Sequence, residues 1–178
     1  MEQKSTFSLA IKPALIIAAV TIAYHLLIWA IIPDIETQEY FGWFNYLIMG
    51  GGFFFFTTNY RDNVKEGHIS YGDSFVYILF MSIVIGVLWS VYYYIFLSFI
   101  DTNYIQQMLD LLENKYYEMG MQESQVEQSM KYVGYIYNPF VLSIVTIFGN
   151  IISGVILGLI ISIFTKKEVP MNFDNYQN

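Results

Sequence analysis

The sequence predicts an all-α integral membrane protein with four transmembrane helices and an amphipathic helical cap between the third and the fourth. Three observations support this prediction: 56% of the 178 residues are hydrophobic, only 13% are charged, and four long runs contain no charged residue. Soluble domains carry about 25% charged residues, so this chain has roughly half of the usual charged surface. We therefore predict one transmembrane domain over residues 13–165, between cytoplasmic tails at 1–12 and 166–178.

The four uncharged runs define the predicted spans. A bilayer core requires roughly 20 predominantly apolar residues in a helix, and all four runs are long enough. Because the hydrocarbon core offers the backbone no hydrogen-bond partners, these segments are expected to be helices and not strands. The predicted spans are residues 13–33, 40–60, 74–100 and 139–165.

The first two spans have alternative interpretations. The run 40–60 includes three consecutive glycines and two threonines, so it can also be read as a glycine loop followed by a short strand through Phe53–Phe56. We favour a span, because without it the basic segments around Arg61 and Lys166 would lie on opposite sides of the membrane. The first run exceeds the ~7–15-residue core of a signal peptide and lacks a small-residue cleavage site, so we interpret it as a retained helix.

Basic residues are concentrated on one predicted side of the membrane. Six of the eight lysines and arginines lie in the two tails and the second connection, whereas Lys115 and Lys131 lie in the third connection. Since cytoplasmic loops carry an excess of basic residues, both termini are predicted to face the cytoplasm. The net charge of −7 argues against nucleic acid as a partner, and the absence of cysteine excludes disulfides and thiolate metal sites.

The outer segment, residues 101–138, is predicted to form two amphipathic helices. In the first helix, apolar side chains recur at helical spacing over residues 105–119. Asp101 or Thr102 is expected to cap the start of this helix, and Gly120 is expected to end it.

The second outer helix has its own start and stop signals. Ser124 and Glu127 form a capping-box pattern, and Asn138-Pro139 is expected to end the helix before the last span. The two helices either lie flat on the outer leaflet or form a docking surface for a partner protein. Six acidic residues against two lysines give the segment a net charge of −4, which disfavours binding to anionic lipid.

The fourth span carries a ribbon of small and polar residues on one helix face, and the third span has a shorter pattern of the same kind. Glycines allow close approach of helices, and an asparagine can hydrogen-bond across the contact. Either the two faces pack together within one subunit, or the fourth span forms a homo-oligomer seam or lines a pore. The residues are Thr146, Asn150, Gly154, Gly158 and Ser162 in the fourth span and Ser82, Gly86 and Ser90 in the third.

His25 and Asn45 form a candidate intramembrane polar site. Apart from tyrosines, His25 is the only ionisable side chain well inside a predicted span, so no charged partner for a proton relay or a metal lies beside it in the spans. We therefore predict a neutral His25 bonded to a hydroxyl or carbonyl group. The sequence contains no catalytic triad, zinc motif or phosphate loop, and no catalytic, cofactor-binding or metal-binding residue is predicted.

The predicted cytoplasmic turn before the third span is rich in glycine and tyrosine. Gly67 and Gly72 are expected to make tight bends, because glycine adopts backbone conformations that other residues avoid. Asp73 or Ser74 is expected to cap the third span, and Tyr71 and Tyr77 are expected to form a hydrophobic clasp at the membrane surface.

The end of this turn, Gly67–Phe75, resembles the Gly-x-Ile-Ser-Tyr-Gly-x-Ser-Phe signature of the small bacterial four-span proteins of domain-of-unknown-function family 4199. The order of the other parts is also similar: an aromatic-rich third span, an outer amphipathic segment, Asn138-Pro139, and a glycine-rich last span ending in Lys166-Lys167. The resemblance covers about residues 11–167 and implies a four-helix inner-membrane protein without an assigned activity.

The expected function is that of a non-enzymatic membrane subunit or scaffold that associates through its fourth span and its outer amphipathic helices. The alternative is a small-solute or ion transporter or channel assembled from several copies. The polar ribbon and His25 favour this alternative, whereas the lack of a charged residue at mid-membrane depth opposes it. The expected partners are the lipid bilayer and either another membrane protein or further copies of the chain.

Overall fold

A computed structural model describes residues 5–168, and within that range the chain is helical with no strand. An isolated bridge between Ile69 and Lys167 is the only β-type pairing in that range. Most of the two predicted tails, residues 1–4 and 169–178, lies outside it. The helices are α1 (Thr6–Ile31), α2 (Ile35–Val64), α3 (Tyr71–Ile95) with a π-helical continuation (Phe96–Ile100), α4 (Tyr104–Glu118), α5 (Glu123–Ile136) and α6 (Pro139–Thr165).

Three of these helices are long and apolar enough to cross a membrane: α1, α3 with its π-helical continuation, and α6. Four such helices are expected from the sequence, and three are found in the described part of the chain. α2 has 30 residues, but its glycines, its Asn45 and its polar ends keep its hydropathy lower. The helix predicted over residues 40–60 is confirmed, and the alternative of a glycine loop with a strand is wrong, because α2 runs unbroken through Gly50-Gly51-Gly52.

The start of α3 differs from the prediction. Ser70 is the N-cap, since its hydroxyl accepts a hydrogen bond from the backbone N–H of Asp73 at 3.0 Å. Neither Asp73 nor Ser74 caps the helix, which already begins at Tyr71. Gly72 lies in the first helical turn and makes no bend, whereas Gly67 has φ +82°, the left-handed conformation that a tight bend requires.

The four longest helices, α1, α2, α3 and α6, pack against one another. α3 makes its most extensive contacts with α6 and α1, and α2 packs against α1 and α6. Outward-facing side chains are largely apolar, and Phe148 and Phe164 of α6 are 61% and 68% exposed. An apolar exterior of this extent requires a covering other than water. The core between the helices is apolar and includes Ala10, Ile17, Phe53, Ile78, Met81 and Ile85.

α4 and α5 form a helical hairpin between α3 and α6, here called the outer hairpin. Its predicted stop signals are confirmed. Gly120 has φ +79° two residues after the end of α4, and α5 ends at Ile136, just before Asn138-Pro139. Asn138 then caps α6, because its side-chain oxygen accepts a hydrogen bond from the N–H of Val141 at 3.0 Å.

The predicted start signals of the outer hairpin are wrong. α4 begins after Asn103, so neither Asp101 nor Thr102 is its N-cap, and the Asp101 carboxylate is engaged elsewhere. The capping box of α5 is formed by Gln122 and Gln125, two residues before the Ser124 pattern. The Gln125 side-chain oxygen accepts a hydrogen bond from the backbone N–H of Gln122 at 3.0 Å, because a glutamine oxygen can accept as a glutamate oxygen usually does.

Candidate functional site

A cavity of about 370 Å³ lies between α1, α2, α3 and α6, in the half of these helices nearest the outer hairpin. We call it the intramembrane cavity. It brings the predicted polar pair, His25 and Asn45, together with the upper part of the α6 ribbon. Its polar lining side chains include Thr21 and His25 of α1, Asn45 of α2, Trp89 of α3, and Thr146 and Asn150 of α6.

His25 is held in place by aromatic residues of α3. Its Nδ1 shares a hydrogen bond with the hydroxyl of Tyr92 at 2.6 Å, as the predicted pairing of a neutral histidine with a hydroxyl requires. The ring also makes edge-to-face contacts with Trp89 and Phe96, at centroid distances of 5.5 and 5.0 Å. Contacts of this geometry are favourable, so the position of the imidazole is fixed by packing as well as by hydrogen bonding.

Asn45 enters the cavity from α2. Its side-chain oxygen, Oδ1, is buried and accepts no hydrogen bond from the described part of the chain. A buried polar atom without a partner costs about 1–3 kcal/mol, so such an atom in a cavity wall calls for an explanation.

Several other polar groups of the cavity already have partners within the chain. The Thr21 hydroxyl donates to the carbonyl of Ile17 at 2.9 Å and accepts from Trp89 Nε1, also at 2.9 Å. The amide nitrogen of Asn150 donates to the Thr146 carbonyl at 2.8 Å. These bonds orient the side chains. Among the lining residues of the cavity in the described part of the chain, Asn45 is the one with a buried side-chain atom that has no partner.

A smaller cavity of about 130 Å³ continues toward the outer hairpin and shares His25, Gly42 and Asn45 with the intramembrane cavity. We call it the outer vestibule. Glu39 and Tyr104 line it, and burial together with the nearby carboxylates of Glu39 and Asp101 raises the pKa of Tyr104 to about 12. The vestibule therefore carries negative charge at its outer end.

The lower part of the α6 ribbon packs against α3 within the chain. A Cβ on Gly154 would overlap the side chain of Ser82, and one on Gly158 would lie 3.3 Å from Ile78 Cγ2. On α3, a Cβ on Gly86 would lie 3.1 Å from the Ile147 carbonyl oxygen. This is the close helix approach that small residues allow. Ser162 is fully buried on the same face, whereas Ser90 is only partly buried.

The predicted turn residues lie at the opposite end of the helices. The Tyr71 hydroxyl donates to the Leu159 carbonyl at 3.1 Å, and Ile69 and Lys167 exchange two backbone hydrogen bonds of 2.9 Å. These contacts join the start of α3 to the end of α6. They are structural contacts, and the turn does not reach the intramembrane cavity.

Two features limit what the site can do chemically. Within residues 5–168, no group of three or more histidine, aspartate or glutamate side chains is placed to hold a metal ion. The polar groups of the cavity are uncharged amides, hydroxyls, aromatic N–H and O–H groups and one imidazole. Groups of this kind can bind and orient a small molecule by hydrogen bonding.

Sequence reasoning missed several lining residues, namely Thr21, Gly42, Trp89, Tyr93, Gly149 and Ser153. For some of these residues, their spacing from one another was a signal in the sequence. Thr21 and His25 are four residues apart, and so are Gly149 and Ser153, so each pair lies on one helix face. The contribution of Trp89 and Tyr93 depends on how α3 packs, which the sequence does not show.

The fold and the three long apolar helices define the class, a helical protein of membrane type. More specifically, the chain belongs to the family described as proteins of unknown function, DUF4199, whose sequence pattern matches residues 12–167. The resemblance inferred from the turn is thus confirmed. No curated protein and no solved structure matches the chain.

Proposed function

We propose that the chain is a four-span protein of the inner membrane, in which α2 crosses the membrane as α1, α3 and α6 do and α4–α5 lie on the outer side. At about 1.5 Å per residue, the 30 residues of α2 extend over about 45 Å, more than a bilayer core. α2 also packs against α1 along its length. The Tyr24 hydroxyl donates to the Phe41 carbonyl at 3.0 Å near one end, and Ile17 meets Gly52 at mid-length.

The charges at the two ends support cytoplasmic termini. Arg61 donates to the Thr165 carbonyl at 3.1 Å, and Lys167 pairs with Ile69, so basic residues gather at the end where α1 begins and α6 ends. The opposite end carries Glu39 and Asp101. This asymmetry matches the usual excess of basic residues on the cytoplasmic side.

Within this arrangement the chain acts as a non-enzymatic membrane subunit or scaffold, and the outer hairpin is its partner-binding surface. The observation that supports this function is the exposed aromatic face of α5, where Tyr132, Tyr135 and Ile136 are 64%, 72% and 52% exposed. Aromatic side chains are enriched at protein interfaces. The lower part of the α6 ribbon packs internally on α3 and its upper part lines the cavity, which leaves the other face of α6 for lipid or a further chain.

The partner that fits this surface is a protein domain with a basic face on the outer side of the membrane. The outer segment has a net charge of −4, so it attracts positive charge and repels anionic lipid. Binding should therefore weaken as salt screens these charges, and charge reversal at Glu113 and Glu127 should remove it.

Site-specific photo-crosslinking tests this proposal in intact membranes. A photoreactive residue at Tyr135 should capture one discrete protein, and the Glu113→Lys/Glu127→Lys variant should lose that adduct. The matched control is Phe148 of α6, which is similarly exposed at 61% but faces outward from the apolar helices. Crosslinks from Tyr135 to lipid only, or to a second copy of the chain, would contradict the proposal.

A second function is favoured by the intramembrane cavity: an oligomeric transporter or channel for a small solute or ion. The outer vestibule leads to a polar space between apolar helices, as a translocation route requires. Toward the cytoplasmic end the route is closed by the apolar core around Phe53 and Met81. Solute flux into liposomes that contain the purified chain, abolished by Asn45→Leu, would support this function over the first.

A further inference from the structure

Asn45 is the starting point for an inference about a ligand. Five buried side-chain oxygen atoms of the described residues lack a hydrogen-bond partner, and of these only Asn45 Oδ1 belongs to a residue that lines the intramembrane cavity. Asn45 lines both this cavity and the outer vestibule, so its unpaired acceptor belongs to the wall that the two spaces share. An acceptor without a donor fits a ligand that supplies an N–H or O–H group.

The charge around the cavity narrows the class of ligand. None of the residues lining the intramembrane cavity or the outer vestibule is a lysine or an arginine. Glu39 lines the vestibule, and its contact with Lys115, at 3.4 Å, leaves its side chain half exposed. The lining along the route from the outer side therefore contains a carboxylate and no lysine or arginine, which favours a positively charged ligand over a negatively charged one.

The aromatic side chains add a second recognition element for a cation. Tyr46, Trp89 and Tyr93 all line the intramembrane cavity. The faces of tryptophan and tyrosine rings attract cations, and this attraction increases when the site is shielded from water. These rings can therefore interact with the positive charge of an ammonium ion, and the Asn45 amide oxygen can accept a hydrogen bond from one of its N–H groups.

We propose that the intramembrane cavity binds the ammonium group of a small amine, with Asn45 as hydrogen-bond acceptor, aromatic rings around the charge, and Glu39 at the entrance. The group belongs either to a free amine or to the ethanolamine headgroup of a lipid. A cavity of about 370 Å³ lies within the usual range for small-ligand sites. This inference is independent of the partner-binding role of the outer hairpin.

Binding is tested with the full-length chain in phosphatidylglycerol nanodiscs, with ethanolamine as the probe and the fluorescence of the three tryptophans as the readout. Ethanolamine should bind, and acetate at equal concentration should not. Asn45→Leu should weaken ethanolamine binding about tenfold, the effect of losing one hydrogen bond. The matched control is Asn59→Leu, because Asn59 lies in the same helix but outside both cavities.

A second variant keeps the test decisive if Asn45→Leu does not fold. Glu39 is an exposed vestibule residue, so Glu39→Gln should fold normally and weaken ethanolamine binding several-fold, with a smaller loss at high salt. Equal binding of acetate, or unchanged affinity in both variants, would overturn the proposal.

Native mass spectrometry of the protein from phosphatidylethanolamine-containing membranes distinguishes the two sources. Retained phosphatidylethanolamine that is lost in Asn45→Leu but kept in Asn59→Leu assigns the site to the lipid headgroup. Ethanolamine binding that phosphatidylethanolamine does not compete with assigns it to a free amine. If neither compound binds in a manner that depends on Asn45 or Glu39, no ammonium site is present.

Discussion

Tyr77 supplies the hydrogen bond that Pro13 withholds from α1. Proline has no backbone N–H, so inside a helix it leaves the carbonyl four residues earlier, here that of Leu9, without its helical donor. The Tyr77 hydroxyl of α3 donates to this carbonyl at 3.3 Å. The Tyr77 ring in turn stacks on Tyr60 of α2 at a centroid distance of 4.1 Å, so one side chain joins three helices.

This relationship predicts a strong coupling between two substitutions. Tyr77→Phe should lower the free energy of unfolding by about 1 kcal/mol, because the Leu9 carbonyl loses its donor while the ring stack remains. In a Pro13→Ala background the new N–H can donate to Leu9, so the same substitution should cost much less. Unfolding of the four proteins in detergent micelles measures the coupling; equal costs in both backgrounds would show that the tyrosine hydroxyl does not compensate for the proline.

The contact between Gly154 and Ser82 predicts a large effect from a single methyl group. Gly154→Ala should destabilise the protein by about 1–3 kcal/mol, since the added Cβ would overlap a Ser82 side chain whose hydroxyl is bonded to the Ile78 carbonyl at 2.8 Å. Gly149→Ala in the same helix has no atom within 4 Å of the added Cβ and should be neutral or stabilising. Thermal unfolding of both variants provides the comparison.

A compensating substitution identifies the cause of that loss. Ser82→Gly removes the atoms that the new Cβ would meet, so the Gly154→Ala/Ser82→Gly double variant should regain most of the stability. If the double variant were as unstable as Gly154→Ala alone, helix packing at this point would not be the reason.

The helices could be predicted from the sequence because their signals are local. The uncharged runs locate the four long helices but not their ends, whereas the Asn138-Pro139 break and Gly120 mark real helix ends. The caps at Asp73 and Ser124 were wrong for a physical reason. Several neighbouring polar residues can cap, and the one that does depends on where tertiary contacts begin the helix.

The site could be predicted only in part. His25 and Asn45 stand out because polar residues are costly in apolar segments, and the structure brings both to one cavity. The bond between His25 and Tyr92 joins residues 67 positions apart, so no local pattern indicates it. The ribbon on α6 is visible in the sequence, but its division into a part that packs on α3 and a part that lines the cavity follows from the packing of the helices.

Cysteine labelling distinguishes three spans from four, because the chain contains no cysteine of its own. We predict that Glu36→Cys and Ser124→Cys react with a membrane-impermeant maleimide from outside intact cells, whereas Ser5→Cys and Ser70→Cys react only after the membrane is opened. Equal labelling at positions 36 and 70 would mean that α2 does not cross the membrane.

Arg61 links the end of α2 to the end of α6 and predicts a stability effect that depends on salt. Its Nη1 donates to the carbonyl of Thr165, the last residue of α6, at 3.1 Å. A positive charge near a helix C-terminus is favourable, and salt screens it. Arg61→Met should therefore destabilise the protein by about 1 kcal/mol at low salt and by less at high salt. Lys12→Met is the control for loss of one charge at the same end; an equal effect there would assign the change to net charge.

Trp29 and Asp101 should control how firmly the outer hairpin is attached to the long helices. Trp29 Nε1 of α1 donates to one carboxylate oxygen of Asp101 at 2.8 Å, and the other oxygen accepts the N–H of Asn103 at 3.2 Å, directly before α4. Hydrogen bonds to charged groups contribute about 1.5–3 kcal/mol. Trp29→Phe removes the first bond and keeps an aromatic ring beside Phe96, whose centroid lies 5.6 Å from that of Trp29.

The expected result of Trp29→Phe is local. Amide hydrogen exchange should become roughly tenfold faster or more in α4, as a loss of at least about 1.4 kcal/mol implies, while exchange in α6 stays unchanged. Asp101→Asn should have an effect of similar size, because its single amide oxygen can accept only one of the two bonds. If α4 exchanged at the same rate in Trp29→Phe as in the unaltered protein, the hairpin would be held by its contacts with α2, such as the pair formed by Lys115 and Glu39, and not by the end of α1.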